Sequence, residues 1–272
     1  MNREQLKTEA NKVQKIVASE KLILNGKELD ISEYLRLHQS KEYRKEDIKA
    51  IDIAKFEKST EECKYTITAD GSDSVVFNSK FKDKKMCILN FASSKNPGGG
   101  FTNGAMAQEE ALCQASNLYS ILSEHHDFYE YNENHLNRSL YSDGLIFTRD
   151  CVFFRNKYKN TNPVLVDIIT CPAPNFNAAK QKGVKTTEIE STMRRRLEQI
   201  LKVAIDNNVR VLALGAFGCG VFGNEPSFVA YETKTLLEAR HYKEYFTDII
   251  FPMNAGTGPN VAAFLKEFKP LI

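Results

Sequence analysis

The stretch "MCILNFASSKNPGGGFTNGAMAQEEALCQASNLYSIL", Met86–Leu122, joins a strand, a glycine-rich loop and a helical pattern in one connection. Met86–Phe91 reads as the strand. In the loop, Gly98, Gly99 and Gly100 carry no Cβ, so φ is unrestricted and another molecule can approach the main-chain N–H groups closely. Such a loop suits a polar ligand. From Gln108 to Leu122 the residues Leu112, Ala115, Leu118, Tyr119 and Leu122 recur at helical spacing, which places Glu109 and Glu110 where the loop becomes a helix. Adjacent glutamates at a helix start also simply complement the helix dipole. Neighbouring helical residues point about 100° apart, so these two cannot be an opposed pair of glycosidase carboxylates. One of them can move a proton while the other holds a hydroxyl.

Working outward, residues 3–19 and 32–50 read as two polar amphipathic helices on either side of "LILNGKELDI", whose Asn25-Gly26 is a hairpin signal. Residues 1–58 are therefore expected to form a helical accessory region ahead of a catalytic domain at 59–272. Strands are expected near Tyr65–Ala69 and Val152–Phe154, in "VLVDIITCPAP", in "RVLALGAF" and in "DIIFPM". Helices are expected near Glu188–Asn207, from about Glu225 to Arg240, and at the end. This order predicts an α/β sandwich with a largely parallel sheet, in which ligands sit beyond the carboxyl ends of the strands.

A second glycine-rich loop, "GAFGCGVFGN" at Gly215–Asn224, lies between a hydrophobic strand and a helix beginning near Glu225-Pro226. Closely spaced backbone donors beside a helix N-terminus favour an anion. A tight strand-to-helix turn would use the same glycines. Phe217 and Phe222 tip the reading towards a bound nucleoside diphosphate, because aromatic rings offer a stacking surface. Neither the Walker spacing with its lysine nor G-x-G-x-x-G is present, which counts against a nucleoside triphosphatase and a simple dehydrogenase.

The 272 residues are 42% hydrophobic and 26% charged, the composition of a globular protein with a sizeable core. A formal net charge of +2 gives no field for nucleic acid or an acidic membrane. No apolar run approaches the ~18 residues a membrane span needs, and the charged start has no signal-peptide character, so a cytoplasmic protein is expected. Six scattered cysteines include no Cys-x-x-Cys pair and suggest neither zinc nor disulfides. The five histidines lack a His-Glu-x-x-His spacing, and "SEHHDFYEYNENH" reads as a polar loop. Arg194–Arg196 reads as a solvated helix face, and Cys219 as small-residue packing rather than a nucleophile.

"GGG", seven residues and then "QEE", with "NFASSKNPGGG", "QEEALCQAS", "CPAPN" and "GAFGCGVFGN", resemble the signature of the poly(ADP-ribose) glycohydrolases, in their bacterial-type branch. The likeness runs from about residue 3 to residue 265. It implies a macrodomain-like three-layer α/β/α sandwich with a mixed, largely parallel sheet, a cleft for ADP-ribose, no cofactor and no metal. Carried over by position, Gly98, Gly99 and Gly100 would approach the terminal ADP-ribose, with Asn96 near its ribose. Gln108 would support the loop, Glu109 would position a ribose hydroxyl, and Glu110 would be the catalytic acid. Gly218, Gly220, Val221 and Phe222 would form the diphosphate loop, with Phe222 as an aromatic wall, and Phe251 is the candidate for a C-terminal aromatic packed on the substrate.

The expected reaction is hydrolysis of ribose–ribose O-glycosidic bonds, from chain ends in this branch, with free ADP-ribose released. Protonation of the leaving oxygen accompanies growth of oxocarbenium character, and burial beside phosphate charge is expected to raise the pKa of the acid. The substrate that the resemblance implies is poly(ADP-ribose) or an ADP-ribosylated protein. The alternatives are a non-catalytic ADP-ribose-binding module and a hydrolase of single ADP-ribosyl linkages.

Overall fold

In the computed structural model, which describes residues 1–81, 84–254 and 256–268, the chain opens with α1 (Arg3–Ser19). Asn2 and Gln5 cap its start reciprocally, each side chain accepting the other's backbone N–H. The hairpin of β1 (Lys21–Leu24) and β2 (Lys27–Asp30) turns at Asn25-Gly26 with φ of 52° and 77°, as that dipeptide predicts. Next come α2 (Ser32–Leu35), β3 (Gln39–Tyr43) and α3 (Lys45–Ala50). The helix expected over 32–50 is thus interrupted by a strand. As an edge strand, β3 is as polar as a surface helix, and its identity depends on a partner around residue 147, far along the chain.

The remaining elements are β4 (Lys64–Thr68), α4 (Ser72–Val75), β5 (Met86–Phe91), α5 (Gln108–Ala115), α6 (Leu118–Leu122), α7 (His126–Asn134), β6 (Leu145–Asn156), β7 (Lys159–Cys171), α8 (Phe176–Gln181), α9 (Thr186–Asp206), β8 (Val211–Ala213), α10 (Pro226–Ala239), β9 (Asp248–Pro252) and α11 (Pro259–Glu267). The seven-stranded sheet runs β3-β6-β7-β5-β8-β9-β4. Every pairing from β7 through to β4 is parallel, while β6 is antiparallel to both its neighbours. Strand β5 lies at the centre. Successive side chains of a strand face opposite ways, so Cys87 and Leu89 pack with α3, α9, α10 and α11, while Met86 and Ile88 pack with α1, α5, α6 and α7. The result is a three-layer α/β/α sandwich with a mixed, largely parallel sheet.

Three expectations need correction. The helix expected over Gln108–Leu122 breaks at Ser116 and Asn117, because Asn117 exchanges backbone bonds with Val152 on β6, its N–H donating at 3.1 Å and its Oδ1 accepting at 2.9 Å. Polar side chains that pair with backbone compete with helix in this way. The histidine-rich stretch forms α7 and is no loop; His125, just before it, bonds Glu42 at 2.9 Å and Ser40 at 2.7 Å on β3. Phe251 is fully buried between Phe264 and Phe268, with ring centroids 5.0 and 4.5 Å away, so it belongs to the core and not to a ligand. Among the described residues no helix is long and apolar enough to cross a membrane.

The arginine cluster on α9 divides by helical position. Arg194 is half exposed and pairs with Glu232 through two bonds of 2.6 Å, and Arg195, also partly exposed, pairs with Asp143 at 2.9 and 3.0 Å. Arg196 points inward and is completely buried. It donates to the Pro172 carbonyl and, at 3.2 Å each, to the Leu140 carbonyl and Asp143 Oδ1. Thus Arg196 ties the "CPAPN" turn and the segment before β6 to α9. Removing one partner of a buried ionic network leaves desolvated groups behind, so Arg196→Ala should lower the free energy of unfolding by about 3–5 kcal/mol. Urea denaturation checks this, and a loss below about 1 kcal/mol, the level of an exposed pair, would contradict it.

Candidate active site

A cavity of about 450 Å³ opens beyond the carboxyl ends of the parallel strands. Its walls are Gly71–Asp73 after β4, Phe91–Ser93 at the end of β5, Ala216 to Phe222 after β8, and Pro252–Asn254 after β9, closed by Met106–Ala111 at the start of α5. This is where a parallel sheet leaves strand ends and loops free to meet a ligand. Both glycine-rich loops face the same space.

Helix α5 is fixed to the sheet by its first residue. The Gln108 side chain accepts the Phe91 N–H at 2.9 Å and donates to the Leu89 carbonyl at 2.8 Å, taking the place of a neighbouring strand, and donates to Ser72 Oγ at 3.1 Å. The two glutamates then enter the cavity wall, 3% and 7% exposed. Glu109 accepts the Ser93 N–H at 2.7 Å and the Asn90 amide at 3.1 Å. Glu110 accepts the Gly100 N–H at 2.8 Å on one oxygen and the Ala107 N–H at 2.9 Å on the other. Each carboxyl is aimed by main-chain donors.

The first glycine loop is shaped by these carboxyls. Gly99 has φ of 60°, and a Cβ there would lie 2.5 Å from Glu110 Oε1 and 3.0 Å from Glu109 Oε2. Gly98, at φ 64°, would clash with Tyr119 at 2.9 Å, and a Cβ on Gly100 would meet that of Ala105 at 2.6 Å. Of the three, only Gly99 lines the cavity; Gly98 is buried behind it, and Gly100 contributes its N–H to Glu110. Asn96 lies exposed at the loop's start, its carbonyl accepting the Gly99 N–H at 2.9 Å.

In the second loop Gly218, Gly220, Val221 and Phe222 all line the cavity. The loop is closed from within by the Asn224 N–H on the Gly218 carbonyl at 3.1 Å and the Gly223 N–H on the Gly220 carbonyl at 3.0 Å. Among the described residues, the N–H groups of Gly220, Val221 and Phe222 have no protein acceptor. That is the donor arrangement of an anion site. Phe222 sits 6.3 Å from the Tyr141 ring, centroid to centroid. The Cys219 thiol, pushed up to about 12 by burial and then by Glu225, is ill suited to act as a thiolate.

Sequence reading missed Asn90, Ser93, Ala107 and Asp73. The first three hold the glutamates, and Asp73 lines the cavity with its carboxyl raised by burial. Asn90 and Ser93 fall at the carboxyl end of β5, the one place in that strand-to-loop transition where polar residues interrupt an apolar run. Among the described residues no group of three or more His, Cys, Asp or Glu side chains is placed to hold a metal ion.

Burial pushes Glu109 up to about 8; the charge of Glu110 adds to the rise, and the Ser93 N–H and Asn90 amide oppose it. Fold and cavity together define an α/β protein that can hold an anionic ligand against paired buried carboxyls.

Comparison with known proteins agrees. The family model "Microbial-type PARG, catalytic domain" matches residues 10–156, which include both the triple glycine and the paired glutamates. Poly(ADP-ribose) glycohydrolase from Thermomonospora curvata is similar over 98% of this chain and all of its own, with 29% identity and a TM-score of 0.90. The same enzyme bound to the inhibitor ADP-HPD gives 28% identity and 0.86 over the same coverage. Poly(ADP-ribose) glycohydrolase from Deinococcus radiodurans in complex with ADP-ribose gives 32% identity and 0.79, covering 86% of this chain and 95% of its own. No curated protein sequence matches. The chain belongs to the family of microbial-type poly(ADP-ribose) glycohydrolases.

Two predictions follow from this geometry. A Cβ at Gly220 meets nothing within 4 Å, and its φ is not positive, so Gly220→Val should fold normally and place its methyls in ligand space. ADP-ribose affinity, read by calorimetry, should fall by about 10-fold or more, since the branched side chain covers main-chain donors; unchanged affinity would make the loop a structural turn. The second concerns pH. With Glu109 near 4.5 unfolded and about 8 folded, the folded protein binds the extra proton, so this group's stabilising contribution is complete below pH 4.5 and lost as pH rises through 8. Glu109→Gln mimics the neutral form, so its stability relative to wild type should climb across that window, by at most about 1.4 kcal/mol per pH unit. A constant difference in thermal unfolding from pH 5 to 8 would contradict the raised value.

Proposed function

We propose that the chain hydrolyses poly(ADP-ribose) from the chain end, with Glu110 as the general acid and Glu109 holding a ribose hydroxyl. The observation that carries this reading is the Glu110 carboxyl fixed on both oxygens by main-chain N–H groups at the wall of a cavity that also contains an anion loop. The relatives bound to ADP-ribose and to an inhibitor support the choice of ligand, and on this reading its diphosphate rests on Gly218–Phe222 and its terminal ribose points towards Glu109 and Glu110. A cavity of about 450 Å³ suits one ADP-ribosyl unit, which supports release of units singly.

The reaction then runs without a covalent step to the protein. Glu110 gives its proton to the 2′ oxygen of the next unit as the bond from that oxygen to the anomeric carbon breaks, and the electron pair leaves with the oxygen. Positive charge grows on the anomeric carbon beside the ligand's own diphosphate. Water adds there and returns its proton to the Glu110 carboxylate. Free ADP-ribose and a shortened polymer result. Gln108 keeps α5 in register with β5, so both carboxyls stay in place. A macrodomain fold and a cytoplasmic location belong to the same reading, the latter supported by six unpaired cysteines, four of them buried.

One argument favours exchanging the two carboxyls: burial pushes Glu109 up to about 8, which favours its proton-bearing form at neutral pH. The variants separate the roles. Glu110→Gln keeps the shape and one of the two main-chain hydrogen bonds but cannot act as the acid, so single-turnover release of ADP-ribose in the presence of EDTA should fall by about 10²-fold or more while ADP-ribose still binds. Glu110→Gln with wild-type turnover, together with an inactive Glu109→Gln, would transfer the acid role to Glu109. A wild type that binds ADP-ribose but cleaves neither the polymer nor single linkages would be a binding module.

A further inference from the structure

The six residues between Gly100 and Ala107 are flanked by the two N–H donors that hold Glu110. Whatever fixes this short segment fixes the carboxyl. Phe101, fully buried, anchors one side against the Tyr119 ring, with centroids 5.0 Å apart. The other side, the turn through Asn103 and Gly104, rests on α1. Arg3 Nε donates to the Asn103 carbonyl at 2.8 Å. Gly104, at φ 72°, passes so close that a Cβ would lie 2.2 Å from the Arg3 carbonyl oxygen. The same helix grips α5 itself, since the buried Gln114 donates to the Leu6 carbonyl at 3.1 Å. Farther along, Glu9 pairs with the buried Arg155 on β6, and Ala10 and Val13 pack in the core layer with Phe101, Leu112 and Cys113.

Helix α1 therefore touches both parts that determine where Glu110 points: the loop that supplies its donors and the helix that carries it. We propose that α1 is a positioning element of the active site, and that Arg3, acting through Asn103 and Gly104, is a positioning residue for Glu110. On this proposal the boundary at residue 58 separates the catalytic domain from a region whose first helix braces the catalytic loop. The proposal rests on Glu110 being the acid, but the placement of the loop can be read without any reaction. Arg3 is solvent-exposed, so one hydrogen bond lost there should barely change thermal unfolding.

The test uses the full chain with Arg3→Ala, Arg3→Lys and Gly104→Ala. Hydrogen exchange followed by NMR at the Gly100 and Ala107 amides should accelerate by ~10-fold in Arg3→Ala, with the rest of the sheet unchanged. On poly(ADP-ribose), kcat should fall by ~10-fold while KM and ADP-ribose affinity stay within about 2-fold, the signature of a displaced reacting group. Arg3→Lys, which keeps a cationic donor, should recover most of both losses. Gly104→Ala, which must push α1 away, should exceed Arg3→Ala. Unchanged exchange at both amides in folded Arg3→Ala and Gly104→Ala would overturn the proposal. Altered exchange with kcat unchanged would confine α1 to a structural role and overturn it equally. If the wild type does not cleave the polymer, the functional reading fails, and the exchange data alone decide whether α1 holds the loop.

Discussion

The Gln108 side chain, bonded to the Phe91 N–H and the Leu89 carbonyl, is the interaction on which the site depends. A helix beginning beside a strand leaves backbone groups of both unpaired, and an amide side chain satisfies a donor and an acceptor of the strand at once. Because β5 is the central strand and is buried on both faces, Gln108 fixes α5 to the most rigid part of the molecule. Glu109 and Glu110 are the next two residues, so little freedom separates the sheet from their carboxyls. Precision comes from the framework, while the glycines supply clearance.

That division of labour changes the meaning of the triple glycine. The sequence suggested bare backbone for a ligand, yet a Cβ at Gly99 would strike both carboxyls, and those at Gly98 and Gly100 would strike Tyr119 and Ala105. Gly99 makes room for the protein's own glutamates, and Gly98 and Gly100 make room for Tyr119 and Ala105, so the triple glycine serves the packing of the loop itself. The second loop differs: Gly218 is hemmed in by Ala173 and Asn224 at 2.7 Å, whereas Gly220 has open space. One glycine there serves the turn, and another leaves its backbone open to the cavity.

Much of this was legible in the sequence because its signals are local. Strand β5, the hairpin at Asn25-Gly26, the helices α9 and α10 and the two glycine loops announce themselves within windows of a few residues. The features that were missed depend on partners distant in sequence. Strand β3 needs β6 to be a strand, the break at Ser116 and Asn117 needs Val152, and the burial of Arg196 needs Asp143 and the Pro172 carbonyl. The β6–β7 hairpin turns through Lys157 and Tyr158, at φ 47° and 67°, without the Asn-Gly that would have marked it. In the site, Gln108, Glu109 and Glu110 were readable from the motif. The donors that aim them were not, since a backbone N–H carries no sequence signature.

In the proposed reaction the paired glutamates also meet an electrostatic problem set by the substrate. Two ionised carboxyls beside a diphosphate would repel the ligand across a partly desolvated cavity, where screening is weak. Burial pushes Glu109 up to about 8 and so favours its neutral form, which lessens the negative charge that this side chain brings to an anion. The Ser93 N–H and Asn90 amide remain in place to receive that carboxyl in either state. A proton retained beside Glu110 is therefore consistent with phosphate binding and with acid catalysis at the same wall, and both require the tight enclosure that Gln108 and the first loop maintain.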